Sequence, residues 1–148
     1  MTVMVANAGS EHLEALEALE QSCFSLPWTR EQLESQLPDD RHVFLVALDE
    51  RGQLLGYVGM MHILDEGYIS NVAVAPEARR QGVGRLLIRT LLERAEELEL
   101  SFVTLEVRES NAPAIALYSG FGFLPVGKRK KYYERPTEDA ILMTKTIK

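Results

Sequence analysis

At Gly82 and Gly84 the hydrophobic pattern changes period, and that change constrains the fold more than any other feature of the chain. Ahead of the glycines, Val43–Leu48, Leu54–Leu64 and Tyr68–Val74 read as strands joined by the turns Asp49–Gln53 and Asp65-Glu66-Gly67. Strands so closely connected predict an antiparallel meander. Behind the glycines, Val83, Leu87, Leu91, Ala95 and Leu98 recur at three- and four-residue steps with charges between them. That spacing predicts an amphipathic helix lying on a sheet. Phe102–Val107 follows, short and almost wholly apolar, as a central strand covered on both faces would be.

The flanking segments extend this pattern. Met1–Ala6 reads as a first strand, and Ser10 can cap a helix carrying Leu16, Leu19 and Cys23. Leu26-Pro27-Trp28 interrupts that helix, and Thr29 with Gln32 forms a capping box that starts another. Asn111 can cap a further helix through Phe121, with Pro113 tolerated in its first turn. Val126–Tyr133 and Ala140–Thr146 predict a closing hairpin around Glu134–Glu138. The order β-α-α-β-β-β-α-β-α-β-β describes an α/β fold, a mixed, mostly antiparallel sheet with helices on both faces. Its 148 residues contain no repeat or linker and are expected to form one domain, 1–148.

Sixteen Lys and Arg against twenty-two Asp and Glu leave a net charge of −6, which argues against a generally nucleic-acid-binding surface. The single Cys23 excludes an internal disulfide or a Cys-rich zinc site. His12, His42 and His62 lack metal-ligand spacing, so no metal is expected. No apolar run approaches the ~18–20 residues that span a bilayer, and no charged-then-apolar signal opens the chain. A soluble, cytoplasmic monomer with no membrane or specific nucleic-acid partner is the expectation.

The turn itself carries chemistry. Gly82 and Gly84 can bring the backbone close to a ligand or adopt unusual dihedrals. The helix that follows offers free N–H groups and its positive dipole end, and Arg79, Arg80 and Arg85 add charge. This composition suits an anion, most simply a pyrophosphate. It would also suit a plain surface turn with solvated arginines. A Walker A loop is absent, because no Gly-Lys-Ser/Thr precedes the helix. A dinucleotide fingerprint needs a third glycine where Leu87 stands.

The segment Arg79-Arg80-Gln81-Gly82-Val83-Gly84 resembles the Arg/Gln-x-x-Gly-x-Gly/Ala acetyl-CoA motif of the GNAT N-acetyltransferases. Asn71-Val72-Ala73-Val74-x-Pro76 precedes it, and Asn111, Ala114, Tyr118 and Gly122-Phe123 follow, where that family has them. Phe24-x-x-Pro27-Trp28-Thr29, Leu105-Glu106-Val107-Arg108-x-Ser110-Asn111, Tyr132-Tyr133 and Glu138-Asp139-Ala140 narrow the likeness to the branch that acetylates ribosomal-protein N-terminal alanine. The likeness runs from about Val3 to Thr146; Ser119-Gly120 departs from the Glu-Ser-type pair common there.

The resemblance implies acetyl-CoA as cosubstrate. Its contacts would be the Val72, Ala73 and Val74 backbone, the turn Arg79, Arg80, Gln81, Gly82, Val83, Gly84 and Arg85, and Asn111. It implies Glu106 as general base and Tyr118 as the acid that protonates the coenzyme A thiolate. Residue chemistry alone leaves both open: Glu106 could pair with Arg108, and Tyr118 could be a core tyrosine. Phe24, Trp28, Tyr132 and Tyr133 would flank a peptide acceptor, the N-terminus of a small-subunit ribosomal protein. Trp28 reads equally as a hydrophobic staple, and Cys23 as a buried structural thiol. Lys128-Arg129-Lys130-Lys131 could steer an acidic substrate or guard a solvated strand edge. Lysine or small-amine acetylation, or acyl-CoA binding without catalysis, are the rival functions.

Overall fold

The structure, a computed structural model, describes residues 2–148. It contains β1 (Met4–Asn7), α1 (Leu13–Cys23), α2 (Arg30–Ser35), β2 (His42–Leu48), β3 (Leu54–Ile63), β4 (Glu66–Val74), α3 (Val83–Glu97), β5 (Phe102–Arg108), α4 (Ala112–Gly120), β6 (Leu124–Tyr133) and β7 (Glu138–Thr146). The order of elements is the expected one. Of the expected first strand, Met1 lies outside the described residues and the pairing begins at Met4. Ser10–His12 form a 3₁₀ turn rather than the start of α1.

The seven strands form one sheet in the order β1-β2-β3-β4-β5-β7-β6. All neighbours are antiparallel except β4 and β5, which pair in parallel. That parallel pairing covers only Glu66–Tyr68 against Phe102–Thr104. Beyond it β4 runs on to Val74 and β5 to Arg108 without pairing to each other, so the sheet splits open in its middle. Parallel neighbours need a crossover, and α3 supplies it. The pairing stops at Tyr68, just before the bulge at Ser70 in the register of β4 with β3.

Strand alternation fixes which helix covers which face. Gly56 faces α3: a Cβ there would stand 3.3 Å from Leu87 Cδ1 and 2.6 Å from the Ala73 carbonyl, so only glycine permits this approach. Tyr57, its neighbour on β3, points the other way and donates its hydroxyl to Glu20 of α1. The packing of Gly84 against Leu117 and of Arg85 over Phe121 puts α4 beside α3. The α3 stripe Val83, Leu87, Ile88, Leu91 and Ala95 is buried, each large side chain contributing about 1.5–3 kcal/mol. The α2 capping box is present: Gln32 N–H donates to Thr29 Oγ1 at 3.2 Å, and Thr29 N–H to Gln32 Oε1 at 2.8 Å.

Candidate active site

The open edge between β4 and β5 gathers most of the expected site. Glu106 stands on β5 two residues past the last parallel pair, and its side chain is only 5% exposed. Tyr68, in that last pair, donates its hydroxyl to Glu106 Oε2. Arg129 of β6 holds the other oxygen, with Nε 3.1 Å from Oε1, while remaining 57% exposed itself. The alternative of a Glu106–Arg108 pair does not occur. Arg108 instead reaches Glu138 at 3.3 Å and the Glu134 and Pro136 carbonyls, because its side chain is drawn towards the β6–β7 turn.

The paired tyrosines close over this carboxylate. Tyr132 and Tyr133 meet edge to face at 5.0 Å; Arg129 lies over the Tyr132 ring at 5.8 Å and Arg108 over Tyr133 at 4.5 Å. The Tyr132 hydroxyl is 3.5 Å from that of Tyr68. Burial raises the Tyr68 phenol far above its ordinary range, reinforced by the hydrogen bond to Glu106. Burial likewise raises Tyr133, with Tyr132, Glu106 and Tyr118 adding to the effect. Tyr133 therefore sits within electrostatic reach of both Glu106 and Tyr118. Tyr118 lies in α4, packed at 5.8 Å on Phe123, and burial pushes its phenol up to about 12.

The glycine turn is built as an anion cradle in part. Gly82 is the N-cap of α3 at φ 82°, a left-handed conformation that favours glycine, and a Cβ there would meet nothing within 4 Å. No side chain caps α3, so its first N–H groups face the turn. Gly84 needs no unusual dihedral; it lies in the first helical turn, with Leu117 and Val74 at ordinary contact distance. The arginines divide their work. Arg79 folds back to donate Nε to the Val74 carbonyl at 3.2 Å, Arg85 lies 5.6 Å over Phe121, and Arg80 is exposed at φ 66°. Gln81 Nε2 donates to Glu77 O at 3.1 Å, and Val83 is buried in the core. Asn111 caps α4, accepting from Ala114 N–H at 3.2 Å, which leaves its amide NH₂ available. Val72 and Val74 are half-buried, Ala73 buried, on the stretch of β4 that pairs with β3 but not with β5.

The α1–α2 loop forms the opposite wall. Phe24 and Trp28 are half-buried and pack against the core rather than standing free. The loop is held at two points: Ser25 Oγ donates to Arg135 O at 2.8 Å, and Trp28 N–H donates to Glu20 Oε1 at 2.7 Å. Cys23 is half-buried, with its thiol 3.5 Å from the Val74 carbonyl. The basic run is not one face, since Lys128 pairs with Glu109 at 2.9 Å while Arg129 turns to Glu106.

Three of these groups escaped the sequence reading. Glu20 was legible, because it lies four residues after Leu16 on the buried stripe of α1, a place for an apolar side chain. Tyr68 and Arg129 reach Glu106 only through strand register, which spacing along one strand does not show.

The chain matches the Acetyltransferase (GNAT) family over residues 13–123. It belongs to that family. A relative in Bacillus subtilis (strain 168) is 36% identical over 97% of this chain and 95% of its own length. The ribosomal protein bS18-alanine N-acetyltransferase of Escherichia coli (strain K12) is 34% identical over 97% of each. The crystal structure of the Escherichia coli ribosomal-protein-S18-alanine N-acetyltransferase superposes with a TM-score of 0.92 at 32% identity, covering 99% of this chain and 94% of that one. The split mixed sheet is thus the GNAT fold, and this GNAT chain is an N-acetyltransferase by family. No helix among the described residues is long and apolar enough to cross a membrane, and none of their side chains cluster as a metal site would require.

Proposed function

We propose that this chain acetylates the α-amino group of a protein N-terminus by direct transfer, the acceptor being a ribosomal protein that begins with alanine. The observation that carries this reading is Glu106, a nearly buried carboxylate at the mouth of the β4–β5 split, roofed by tyrosines. The names of relatives 34% and 32% identical over nearly the whole chain support the same acceptor class.

The uncapped N-terminus of α3, with Arg80 and Arg85 beside it, fits the pyrophosphate of acetyl-CoA. The β5-facing edge of β4 at Val72–Val74 suits the pantetheine arm, and Asn111 offers an amide donor near α4. When bound, acetyl-CoA supplies the acetyl group as a thioester. Glu106 takes a proton from the incoming ammonium through an intervening water, leaving the amine nitrogen free to attack the carbonyl carbon. As the new C–N bond forms and the C–S bond breaks, Tyr118 would give its phenolic proton to the departing sulfur, and the second proton of the acylated nitrogen would return through water to the Tyr118 phenolate, leaving one net proton on Glu106 to pass to solvent. The raised pKa of Tyr118, about 12, keeps its proton in place at neutral pH. Phe24, Trp28, Tyr132 and Tyr133 line the acceptor's approach and exclude water.

Proton chemistry favours the same acceptor class. An α-amine, with a pKa of about 7.7–8.0, is tens of per cent neutral near pH 7.5, whereas a lysine near 10.4 is almost wholly charged. One carboxylate base therefore suffices for the first. Glu106→Gln tests the assignment: turnover should fall by about 10²–10⁴ while acetyl-CoA affinity, read by calorimetry, holds within twofold. Near-normal turnover in that variant would remove Glu106 from the mechanism.

A further inference from the structure

A second carboxylate, Glu20, is wholly buried and has no part in the chemistry described above. Its Oε1 accepts from Trp28 N–H at 2.7 Å; its Oε2 accepts from Asn71 Nδ2 at 3.1 Å and from the Tyr57 hydroxyl. No cation among the described residues pairs with it. Burying a carboxylate without a cation is costly, and its neighbours on the α1 stripe, Leu13, Leu16 and Leu19, show that an apolar side chain would serve packing better. What an apolar residue lacks is acceptor capacity. Three donors from three elements converge here, and only a carboxylate presents two acceptor oxygens to them.

The donors lie at informative places. Trp28 ends the α1–α2 loop, one wall of the cleft. Asn71 sits at a bulge in β4, where the register skips Ser70 between the pairs Gly59↔Asn71 and Met60↔Ile69. That bulge lies between Tyr68, where the β4–β5 pairing ends, and Val72, where the stretch assigned to the acetyl donor begins. Tyr57 stands on β3, and its phenol fixes Oε2 from below.

We propose that Glu20 is a positioning residue: it ties the acceptor loop, through Trp28 N–H, to the β4 strand that carries the acetyl donor. The inference deepens the acceptor reading and rests on it. With the tie intact, the loop wall stands at a fixed distance from the split; without it, the loop keeps the Ser25–Arg135 hydrogen bond at its other end and the packing of Phe24 and Trp28.

The test compares two acceptors, an Ala-initiated peptide of six or so residues and alanine amide, which is too short to reach the loop. Glu20→Gln keeps the side-chain shape but turns one acceptor into a donor facing Asn71 and Tyr57. The ratio of kcat/KM for peptide over alanine amide should fall by about tenfold, through the peptide KM, as one hydrogen-bond-sized interaction is lost. Acetyl-CoA affinity should hold. Equal losses with both acceptors would mean a merely structural role, and an unchanged ratio would mean no role; either overturns the proposal. Should Glu20→Gln fail to fold, Asn71→Leu removes the β4 end of the tie while keeping the carboxylate and its bond from Trp28 N–H, and an unchanged ratio there overturns it too. A wild-type protein that acetylates the α-amine of neither acceptor overturns the acceptor reading instead, and this inference with it.

Discussion

Two buried carboxylates lie on either side of β4, and the contrast between them separates a site open to solvent through one partner from a site sealed in the interior. Glu20 and Glu106 each accept a hydrogen bond from a tyrosine on a sheet strand, Tyr57 and Tyr68 respectively. Their remaining partners differ. Glu20 is sealed among neutral donors from the interior, and its burial raises its pKa, with the Tyr57 and Trp28 hydrogen bonds opposing that shift. Glu106 faces the split, and its second oxygen is held by a guanidinium more than half exposed to solvent. An exposed cation can swing aside and let another cation, the acceptor's ammonium, take its place. Burial alone does not make a base; burial with one replaceable partner does.

The same substitution at both positions is the strongest way to break this contrast. Glu106→Gln is expected to lower turnover of alanine amide by about 10²–10⁴, while Glu20→Gln leaves that small acceptor nearly unaffected. Comparable losses at the two sites would erase the distinction. Tyr118→Phe should follow with a loss of about 10² in kcat and little change in acetyl-CoA affinity. Because burial pushes this phenol up to about 12, wild-type kcat should show no fall between pH 9 and 10, where a free phenol would begin to ionise. A decline there that Tyr118→Phe removes would contradict the assigned environment.

Smaller effects concern stability. Glu20→Ala strands the Trp28, Tyr57 and Asn71 donors and should cost on the order of 3 kcal/mol in denaturant unfolding, whereas Glu106→Ala, beside an exposed Arg129, should cost less. The pH dependence carries a sign. Since the folded pKa of Glu20 exceeds the ordinary 4.5, the native state binds the proton more tightly than the unfolded chain. Its contribution is greatest below about 4.5 and is lost as pH rises through the raised folded value. Asp39 and Glu138, held below their ordinary values chiefly by hydrogen bonds from Arg41 N–H and from Ser110, act in the opposite sense and lose their contribution in stronger acid. Glu20 should therefore add stability as pH falls, and Glu20→Gln should flatten that dependence; an equal slope in both would contradict the shift.

What could be read in advance depends on where each interaction is encoded. The meander, the α3 stripe and the Thr29–Gln32 capping box are local patterns, and all three stand in the structure. The uncapped glycine start of α3 is local as well. Glu106 was legible as a carboxylate out of place on an apolar strand, yet its partners were not. Tyr68 meets it because the parallel register sets Tyr68 against Thr104, and Arg129 meets it across β7, with Arg129 opposite Ala140 and Glu106 opposite Leu142. Registers of that kind are settled by the packing of whole elements, and no spacing along a single segment carries them. Glu20 had a local sign, a charge on a buried stripe, but its three donors come from three distant segments.

The most direct measurement uses two peptides of the same Ala-initiated ribosomal sequence, each with one internal lysine, one N-terminus free and the other blocked. Each is incubated with acetyl-CoA, and fragmentation mass spectrometry locates any added acetyl group. The account predicts one acetyl group, on the free α-amine of the first peptide, and none on the second. Acetylation of the lysine in both peptides would contradict it and make this chain a side-chain acetyltransferase.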